Sequence, residues 1–185
     1  MKRGVVTVRR YSVIRDATVD DAPAFADIVI ACWKQAYRGV VPGEAIDRVT
    51  RDDRIARIRR RMDWPTFAAE RDGRVVGMMR FAEPPRACDA EIDGLYVHPD
   101  AGRSGIGRAL VRHACTWFAA RDRRSLYIAT LRDNRIGRPF YDKLGGRLVE
   151  AKPWAYEGVD YPSVGYVWDD LATLARDAAF TPGKS

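Results

Sequence analysis

The sequence predicts a single α/β domain, and three patterns along the chain lead to this expectation. An apolar strand over 91–97 runs into a glycine-punctuated turn, and an amphipathic helix with apolar residues every three or four positions follows. A second buried strand is predicted at 126–131 and is again followed by a helical segment, around Phe140. Upstream, 66–70 and 74–81 are predicted to pair as a hairpin across Arg71-Asp72-Gly73. With 185 residues, 46% of them hydrophobic, the chain is long enough for one domain with a substantial core.

The remaining elements are predicted from capping signals and periodicity. A strand is expected at 12–15, and the capping box Thr18-x-x-Asp21 precedes a helix with one apolar face. A second helical region over 46–58 is expected to divide at another capping box, Thr50-x-x-Asp53. The last two strands are predicted at 147–151 and 164–168, and 180–185 are expected to fray.

The turn after the 91–97 strand has the features of a phosphate-binding site. The N-terminus of a helix carries unpaired N–H groups and partial positive charge, and glycines let a ligand approach the backbone. The Walker A pattern fails here because Arg108 replaces its lysine and Ala109 replaces its hydroxyl residue. The Rossmann pattern fails because Leu110 stands where its third glycine belongs. The turn therefore predicts a phosphate ligand of another kind, with an ordinary strand–helix connection left open.

Two ordered motifs resemble those of the GNAT superfamily of acyl-CoA-dependent N-acyltransferases. That family's pyrophosphate turn, (Q/R)-x-x-G-x-(G/A), matches 102–107, and its signature N-x-x-(A/G)-x-x-F-Y-x-x-L-G matches 134–145. The resemblance covers about 11–171. It implies a single-domain GNAT fold: a mixed, mostly antiparallel sheet of about six to seven strands, a splayed central strand pair, and helices on both faces. We accordingly divide the chain into an N-terminal extension (1–10), the acetyltransferase domain (11–171) and a C-terminal tail (172–185).

The resemblance also implies acetyl-CoA as co-substrate, with its pantetheine arm lying beside the 91–97 strand and bonded by backbone groups of Leu95 and Val97. Gly94 in that strand predicts a bulge or a close ligand approach, with a packing constraint as the alternative. Asn134 is expected near the pantetheine or the sulfur, with helix capping as its alternative role. The full set of implied cofactor residues is Leu95, Tyr96, Val97, Gly102, Arg103, Ser104, Gly105, Ile106, Gly107, Arg108, Asn134 and Tyr141.

The implied chemistry is attack of an amine on a thioester. An amine of pKa about 10.4 must lose a proton before it attacks, and a carboxylate can accept that proton. Glu91 and Asp93 share one face of their strand because strand side chains alternate. The resemblance favours Glu91 as the base, with Asp93 as the alternative and a surface or ion-paired carboxylate as the competing role for either. It places Tyr141 as the donor to the leaving thiolate.

Two departures from the family pattern bear on these roles. Gly102 replaces the usual Gln or Arg, so Arg103 or Arg108 would have to supply the lost contact to the pyrophosphate. Pro139 would break a helix capped by Asn134, unless the helix begins near residue 138 and the proline lies in its first turn. In either case the position of Tyr141 depends on where this helix starts.

The acceptor is expected to be a small-molecule or peptide amine of unknown identity. The segments that bind it in the family supply Trp33, Tyr37, Trp154 and Tyr156 here. Aromatic rings near the carboxylates of 157 and 160 suit a cation, and an aromatic core is the alternative.

Composition limits other partners. The net charge is +7, and a basic run at 57 and 59–61 raises the possibility of nucleic acid, but a solvated helix face is the expected explanation. Cys32, Cys88 and Cys115 have no paired spacing and are expected to be reduced thiols of a cytoplasmic protein. No metal site is expected, and no apolar run approaches the ~18 residues of a membrane span. A homodimer is left open.

These inferences predict an N-acetyltransferase that moves an acetyl group directly from acetyl-CoA to a primary amine. One alternative is a catalytically silent acyl-CoA sensor, suggested by Pro139. The other is a basic nucleic-acid-binding module, suggested by the net charge.

Overall fold

The computed structural model describes residues 6–8, 12–85 and 87–178. Its strands are β1 (Val6–Val8), β2 (Ser12–Asp16), β3 (Thr66–Arg71), β4 (Arg74–Ala82), β5 (Ala90–Val97), β6 (Leu126–Leu131), β7 (Arg147–Glu150), β8 (Trp154–Tyr156), β9 (Val159–Tyr161) and β10 (Ser163–Trp168). Its helices are α1 (Ala22–Ala36), α2 (Gly43–Arg48), α3 (Arg51–Arg59), α4 (Ile106–Ala119), α5 (Gly137–Asp142) and α6 (Leu171–Asp177).

The main sheet has the strand order β1-β2-β3-β4-β5-β6-β10-β7. All neighbouring strands are antiparallel except β5 and β6, which are parallel. The seven strands from residue 12 onward form the mixed, mostly antiparallel sheet that the sequence predicts, and β1 adds one strand at its edge. The strands β8 and β9 form a separate two-stranded sheet that the sequence analysis did not predict.

The central strands β5 and β6 separate soon after they meet. They pair only at Ala90 with Leu126 and at Glu91 with Tyr127, although both strands continue for several residues. This is the splayed pair expected from the resemblance. The backbone of β5 beyond residue 91 consequently has no strand partner on its β6 side.

A bulge on β5 accompanies this separation. Arg80 of β4 faces Gly94, while the next residue, Phe81, faces Ile92, so Asp93 is the extra residue. Bulges increase the local twist and bend the strand that carries them. A Cβ on Gly94 would meet only ordinary contacts, at 3.4 Å or more. The bulge predicted for this region is thus present one residue before Gly94. The space around Gly94 would admit a Cβ, so packing does not require a glycine at this position.

Helices cover both faces of the sheet, each over its own apolar core. On one face α4 and α6 pack over a core that includes Phe67 and Met79. On the other, α1, α2 and α3 pack over a core that includes Ala68 and Met78. Consecutive strand residues belong to opposite cores because strand side chains alternate between faces.

Both predicted capping boxes are present. The hydroxyl of Thr50 accepts a hydrogen bond from the Asp53 amide at 3.1 Å, and the Asp53 carboxylate accepts one from the Thr50 amide at 3.2 Å. The box at Thr18 and Asp21 precedes α1 through a short 3-10 turn. The box at Thr50 and Asp53 divides the second helical region into α2 and α3, as the sequence predicts.

The C-terminal helix α6 lies in the segment that we assigned to a tail. Its Leu174 is fully buried in the core beneath α4. The division of the chain at 10 and 171 stays a prediction, and the fraying expected at 180–185 lies outside the described residues. Within the described ranges no helix is both long and apolar enough to cross a membrane.

Candidate active site

A cleft of about 1260 Å³ follows β5 past its separation from β6 and reaches the N-terminus of α4. We call it the donor cleft; its walls come from residues 92–97, 99–108, 128–130, 134–143, 32–37 and 176–177. Every predicted cofactor residue lines it except Ser104, whose hydroxyl donates instead to the Ala101 carbonyl at 2.6 Å. The structure therefore brings two motifs thirty residues apart in sequence to one cavity.

The turn at the end of the donor cleft presents free backbone amides. Arg103 and Gly105 have left-handed backbone conformations, with φ of 55° and 88°, and Gly105 is the N-cap of α4. The first hydrogen bond that reaches back into this turn runs from the Ala109 amide to the Gly105 carbonyl, at 3.0 Å. The amides of the three residues before Ala109 have no acceptor within the helix, so they can bind an anion at its positive end.

Four cationic side chains line the donor cleft. Arg103, Arg108, Lys143 and Arg176 line it, and the Arg108 guanidinium also donates to the Asp177 carbonyl at the end of α6. Gly102 lacks the Gln or Arg side chain that is usual at this position in the family. Arg103 and Arg108 were the substitutes expected from the sequence, and Lys143 and Arg176 are two further cations of the cleft.

Pro139 lies in the first turn of α5, as its third residue. This is the second of the two arrangements considered from the sequence, and it leaves Tyr141 in the wall of the donor cleft. The Tyr141 side chain is 6% exposed, and its hydroxyl makes no hydrogen bond with any described residue. Burial raises the pKa of Tyr141 well above its usual value, so the phenol is protonated at neutral pH.

The Asn134 side chain makes four hydrogen bonds within the protein. Its Oδ1 accepts from the amides of Ile136 and Gly137, at 3.1 and 2.8 Å, and so caps the start of α5. Its Nδ2 donates to Thr130 Oγ1 at 2.8 Å and to the Tyr37 hydroxyl at 3.3 Å. An amide has two donor hydrogens and two acceptor lone pairs, so all are used. This favours the capping role, and a direct contact with the cofactor stays a prediction.

A second cavity, of about 430 Å³, lies between α1, α3, β5 and β8. We call it the acceptor pocket. Among its lining residues are the four predicted substrate residues Trp33, Tyr37, Trp154 and Tyr156, both candidate bases Glu91 and Asp93, and five arginines, Arg54, Arg57, Arg60, Arg61 and Arg80.

The two candidate bases have opposite environments. Asp93 accepts hydrogen bonds from Arg80, at 3.1 Å from Nε and also from its second nitrogen, and from Arg61 at 2.6 Å. Glu91 is half-buried and makes no hydrogen bond with a described residue. Burial, and then the negative charge of Asp93, raises the pKa of Glu91 from 4.5 to about 7. A pKa near the working pH suits a general base, whereas the Asp93 carboxylate is occupied by two guanidinium groups.

The donor cleft and the acceptor pocket meet. They share Tyr37, Asp93, Tyr96, Ala129 and Thr130 in their linings. A donor lying in the first cavity and an acceptor in the second would therefore touch at these residues.

Sequence reasoning missed two parts of the site. One is the arginines of the acceptor pocket, although Arg54, Arg57 and Arg61 are spaced by three and four residues and so share a helical face. The other is the β8–β9 hairpin, which brings Trp154 and Tyr156 onto Trp33, with ring centroids 5.1 and 4.9 Å away. The described residues contain no group of three or more His, Cys, Asp or Glu side chains that could hold a metal.

A cleft that ends at a helix N-terminus and opens into a pocket with a half-buried carboxylate is the arrangement expected of a group-transferring enzyme. The sequence model of the acetyltransferase (GNAT) family matches residues 27–146. The chain belongs to the GNAT acetyltransferase family, which confirms the predicted family and enzyme class.

The chain is similar both to proteins of this family in sequence and to solved structures in fold. The chain is 29% identical to a probable N-acetyltransferase of Mycobacterium tuberculosis, Rv2775, over 83% of this chain and 91% of that protein. The PaiA N-acetyltransferase of Thermoplasma acidophilum, solved with coenzyme A, gives a TM-score of 0.67 at 20% identity over 83% of this chain and 97% of that one. YncA of Salmonella typhimurium, solved with acetyl-CoA, gives 0.63 at 19% identity over 85% and 93%. These complexes agree with the predicted co-substrate.

Proposed function

We propose that this protein transfers the acetyl group of acetyl-CoA to a primary amine, by direct attack within a complex of the enzyme and both substrates. The observation that carries the proposal is the junction of the donor cleft and the acceptor pocket at Tyr37, Asp93 and Tyr96. Two cavities that meet can hold two reactants in contact, so the acetyl group can pass directly from one to the other without a covalent intermediate on the enzyme.

The donor cleft would hold acetyl-CoA by backbone groups. The diphosphate would lie at the free amides of the α4 N-terminus, with Arg103 close by. The pantetheine arm would occupy the gap between β5 and β6, where Leu95 and Val97 have no strand partner on the β6 side. The Val97 carbonyl already accepts a hydrogen bond from the Cys32 thiol at 3.1 Å, and its second lone pair remains for the ligand.

Glu91 would take the proton that the attacking amine loses. The amine nitrogen forms the new bond to the thioester carbonyl carbon, the carbon–sulfur bond breaks, and the amine proton passes to the Glu91 carboxylate directly or through water. With a pKa of about 7, Glu91 is substantially ionised at neutral pH and accepts a proton readily. Asp93 would instead hold Arg80 and Arg61 in place.

Tyr141 would donate a hydrogen bond to the departing sulfur. Its raised pKa keeps the phenol protonated, and its hydroxyl has no competing acceptor among the described residues. The same raised pKa disfavours complete proton transfer to a thiolate, whose protonated form has a pKa near 8.5. We therefore assign Tyr141 as a hydrogen-bond donor that stabilises the developing negative charge.

Release of free thiol from acetyl-CoA in the presence of a panel of amines tests the proposal. We expect amine-dependent release, with the acetylated amine detected by mass spectrometry. The panel includes amino acids, their decarboxylated amines, polyamines, aminoglycosides and short peptides. Binding of acetyl-CoA in calorimetry without thiol release from any amine would instead identify a silent sensor.

A further inference from the structure

We propose that the acceptor is a small amine that also carries a carboxylate or another oxyanion group, and that Arg54 binds this group. The proposal rests on the function proposed above and specifies the substrate class of the same acceptor pocket. Three features of the pocket support it: its charge, the surroundings of Arg54 and the hairpin that covers it.

The acceptor pocket has more positive than negative charge. Five guanidinium groups line it against two carboxylates, Glu91 and Asp93. The Asp93 carboxylate forms ion pairs with both Arg61 and Arg80, and Arg57 forms one with Glu157 at 3.0 Å. Within the described residues, the other two arginines of the lining, at 54 and 60, have no carboxylate partner. An occupant that brought a second positive charge would add to this excess, whereas an oxyanion would neutralise part of it.

Arg54 and Arg80 are the two buried arginines of the lining, and of these two only Arg54 has no carboxylate partner among the described residues. Arg54 is 9% exposed, and its guanidinium lies over the Trp33 ring, 5.0 Å from the ring centroid. Its Nε is buried without a hydrogen bond, and the side chain has no hydrogen-bond acceptor among the described residues. A buried charge without a partner is costly, and a planar guanidinium matches the two oxygens of a carboxylate or phosphate. A buried guanidinium without an acceptor, at the wall of a pocket, is suited to bind an anionic ligand.

The β8–β9 hairpin covers the pocket and favours a small occupant. Trp154 and Tyr156 stack on each other with ring centroids 4.8 Å apart and pack on Trp33. The Tyr156 hydroxyl donates to the Ala45 carbonyl of α2 at 3.3 Å, and the Glu157–Arg57 ion pair joins the hairpin to α3. A volume of about 430 Å³ under this cover suits a small molecule with an apolar or aromatic body.

This substrate class differs from the cation that aromatic residues beside 157 and 160 suggested from the sequence. The Glu157 carboxylate is occupied by Arg57, and Asp160 does not line the pocket. The aromatic rings instead stack on one another and beneath Arg54. The rings would contact the apolar body of the acceptor, while its amine faces Glu91 and its oxyanion faces Arg54.

Matched acceptor pairs test the proposal. The acetylation rate of phenylalanine, tryptophan and methionine is compared with that of phenethylamine, tryptamine and 3-(methylthio)propylamine, each corrected for the fraction of neutral amine. We expect kcat/KM to be about 10- to 100-fold higher for the carboxylate member of at least one pair. The phosphonate analogue of the preferred amino acid then shows whether the pocket favours a carboxylate or a phosphate-like group.

Variants of α3 test whether Arg54 causes the preference for a carboxylate-bearing acceptor. Arg54→Met keeps most of the packing on Trp33, and we expect it to raise KM for the anionic acceptor about 10- to 100-fold while the decarboxylated partner changes less than about threefold. Arg54→Lys should recover part of the loss. Arg59→Met is the matched control, because Arg59 is on the same helix, exposed and outside the pocket. Circular dichroism and acetyl-CoA calorimetry verify the fold of each variant.

Two results would overturn this inference while leaving the proposed function intact: faster acetylation of the decarboxylated member in every pair, or equal KM changes for both members in Arg54→Met. Efficient acetylation of acidic peptides in place of small amines would also overturn it. Failure of every amine to release thiol would instead count against the proposed function itself.

Discussion

The donor cleft and the acceptor pocket meet at a few residues but are built by different means. The end of the donor cleft that we assign to the diphosphate consists mainly of backbone groups from one continuous segment, 99–108, shaped by the left-handed backbone of Gly105. The acceptor pocket consists mainly of side chains from α1, α3, β4, β5, β6, β8 and β10, which are separated by up to about 130 positions in the sequence.

This difference explains what each cavity is suited to recognise. Main-chain amides at a helix terminus bind phosphate whatever the neighbouring side chains are, so this part of the site accepts the invariant portion of a donor. A pocket of side chains can change its ligand with a single substitution, so the choice of acceptor is set there. Arg54 and Glu91 are accordingly the residues whose replacement should change which amine reacts, and how fast.

The largest expected effect is at Glu91. Glu91→Gln should lower turnover by about 10²–10⁴ at pH 7, because the carboxylate that accepts the amine proton is lost. In the parent enzyme, activity should rise with pH through about 7, where Glu91 becomes ionised, and this limb should be absent in the variant. The measurement is kcat/KM between pH 5.5 and 9.5.

Asp93→Asn is the companion variant. It frees Arg80 and Arg61, so it should lower the melting temperature. The pH limb should persist but move below 7, because the negative charge of Asp93 is one of the causes of the raised Glu91 pKa. A pH limb that disappears in Asp93→Asn and persists in Glu91→Gln would reverse the assignment of the base.

The next effect tests the backbone site of the donor cleft. Gly105→Val should weaken acetyl-CoA binding by about 100-fold or more, equivalent to about 2.7 kcal/mol, because a branched side chain is strained at φ 88° and would obstruct the diphosphate. Calorimetric titration with acetyl-CoA measures this loss. Gly73→Val is the control: its φ of 74° imposes similar strain in an open hairpin turn outside the cleft. Equal affinities in the two variants would contradict the phosphate site.

A smaller effect is expected at Tyr141. Tyr141→Phe removes one hydroxyl and should lower turnover about 10- to 100-fold, while the affinity for acetyl-CoA changes by less than about 1.5 kcal/mol. Tyr166→Phe is a matched control, because that neighbouring hydroxyl lies outside the cleft and accepts a hydrogen bond from Arg138 at 3.3 Å. Full activity of Tyr141→Phe would mean that the sulfur leaves without help from this residue.

The smallest effect is on stability. The folded-state pKa of Glu91 is raised above its unfolded value of 4.5, so stability falls as pH rises from about 4.5 to 7, where the buried charge becomes a cost. Because the carboxyl is half exposed, we expect this cost to be on the order of 1 kcal/mol. Glu91→Gln should melt about 2–4 °C higher than the parent at pH 8 and within about 1 °C of it at pH 5. Differential scanning calorimetry at both pH values would show whether the difference grows with pH.

Local signals in the sequence were sufficient for most of the fold. The hairpin between β3 and β4 was predicted from Asp72-Gly73, and both residues have positive φ, at 52° and 74°. The β8–β9 turn has the same geometry at Glu157 and Gly158, with φ of 49° and 79°, but glutamate is not a residue that such turns favour. The second hairpin was missed because its three-residue strands and its turn carry weak local signals, and packing on Trp33 compensates for them.

The sequence by itself determined the class of protein and the donor cleft, because the turn at 102–107 and the 134–145 segment are local patterns whose backbone conformations follow from their own residues. Only the tertiary structure showed the environments of the charged side chains. Glu91 and Asp93 lie on one face of the same strand, and in the sequence only the family resemblance favoured Glu91. In the structure they differ because the bulge on β5 and the position of Arg80 pair one carboxylate and leave the other half-buried and free. In the sequence Arg54 is one of many basic residues in a helical segment. In the structure Trp33 of α1 lies beneath its guanidinium, and the side chain is buried. Burial and partner charge set the properties of an ionisable group, and both depend on residues far away in the chain.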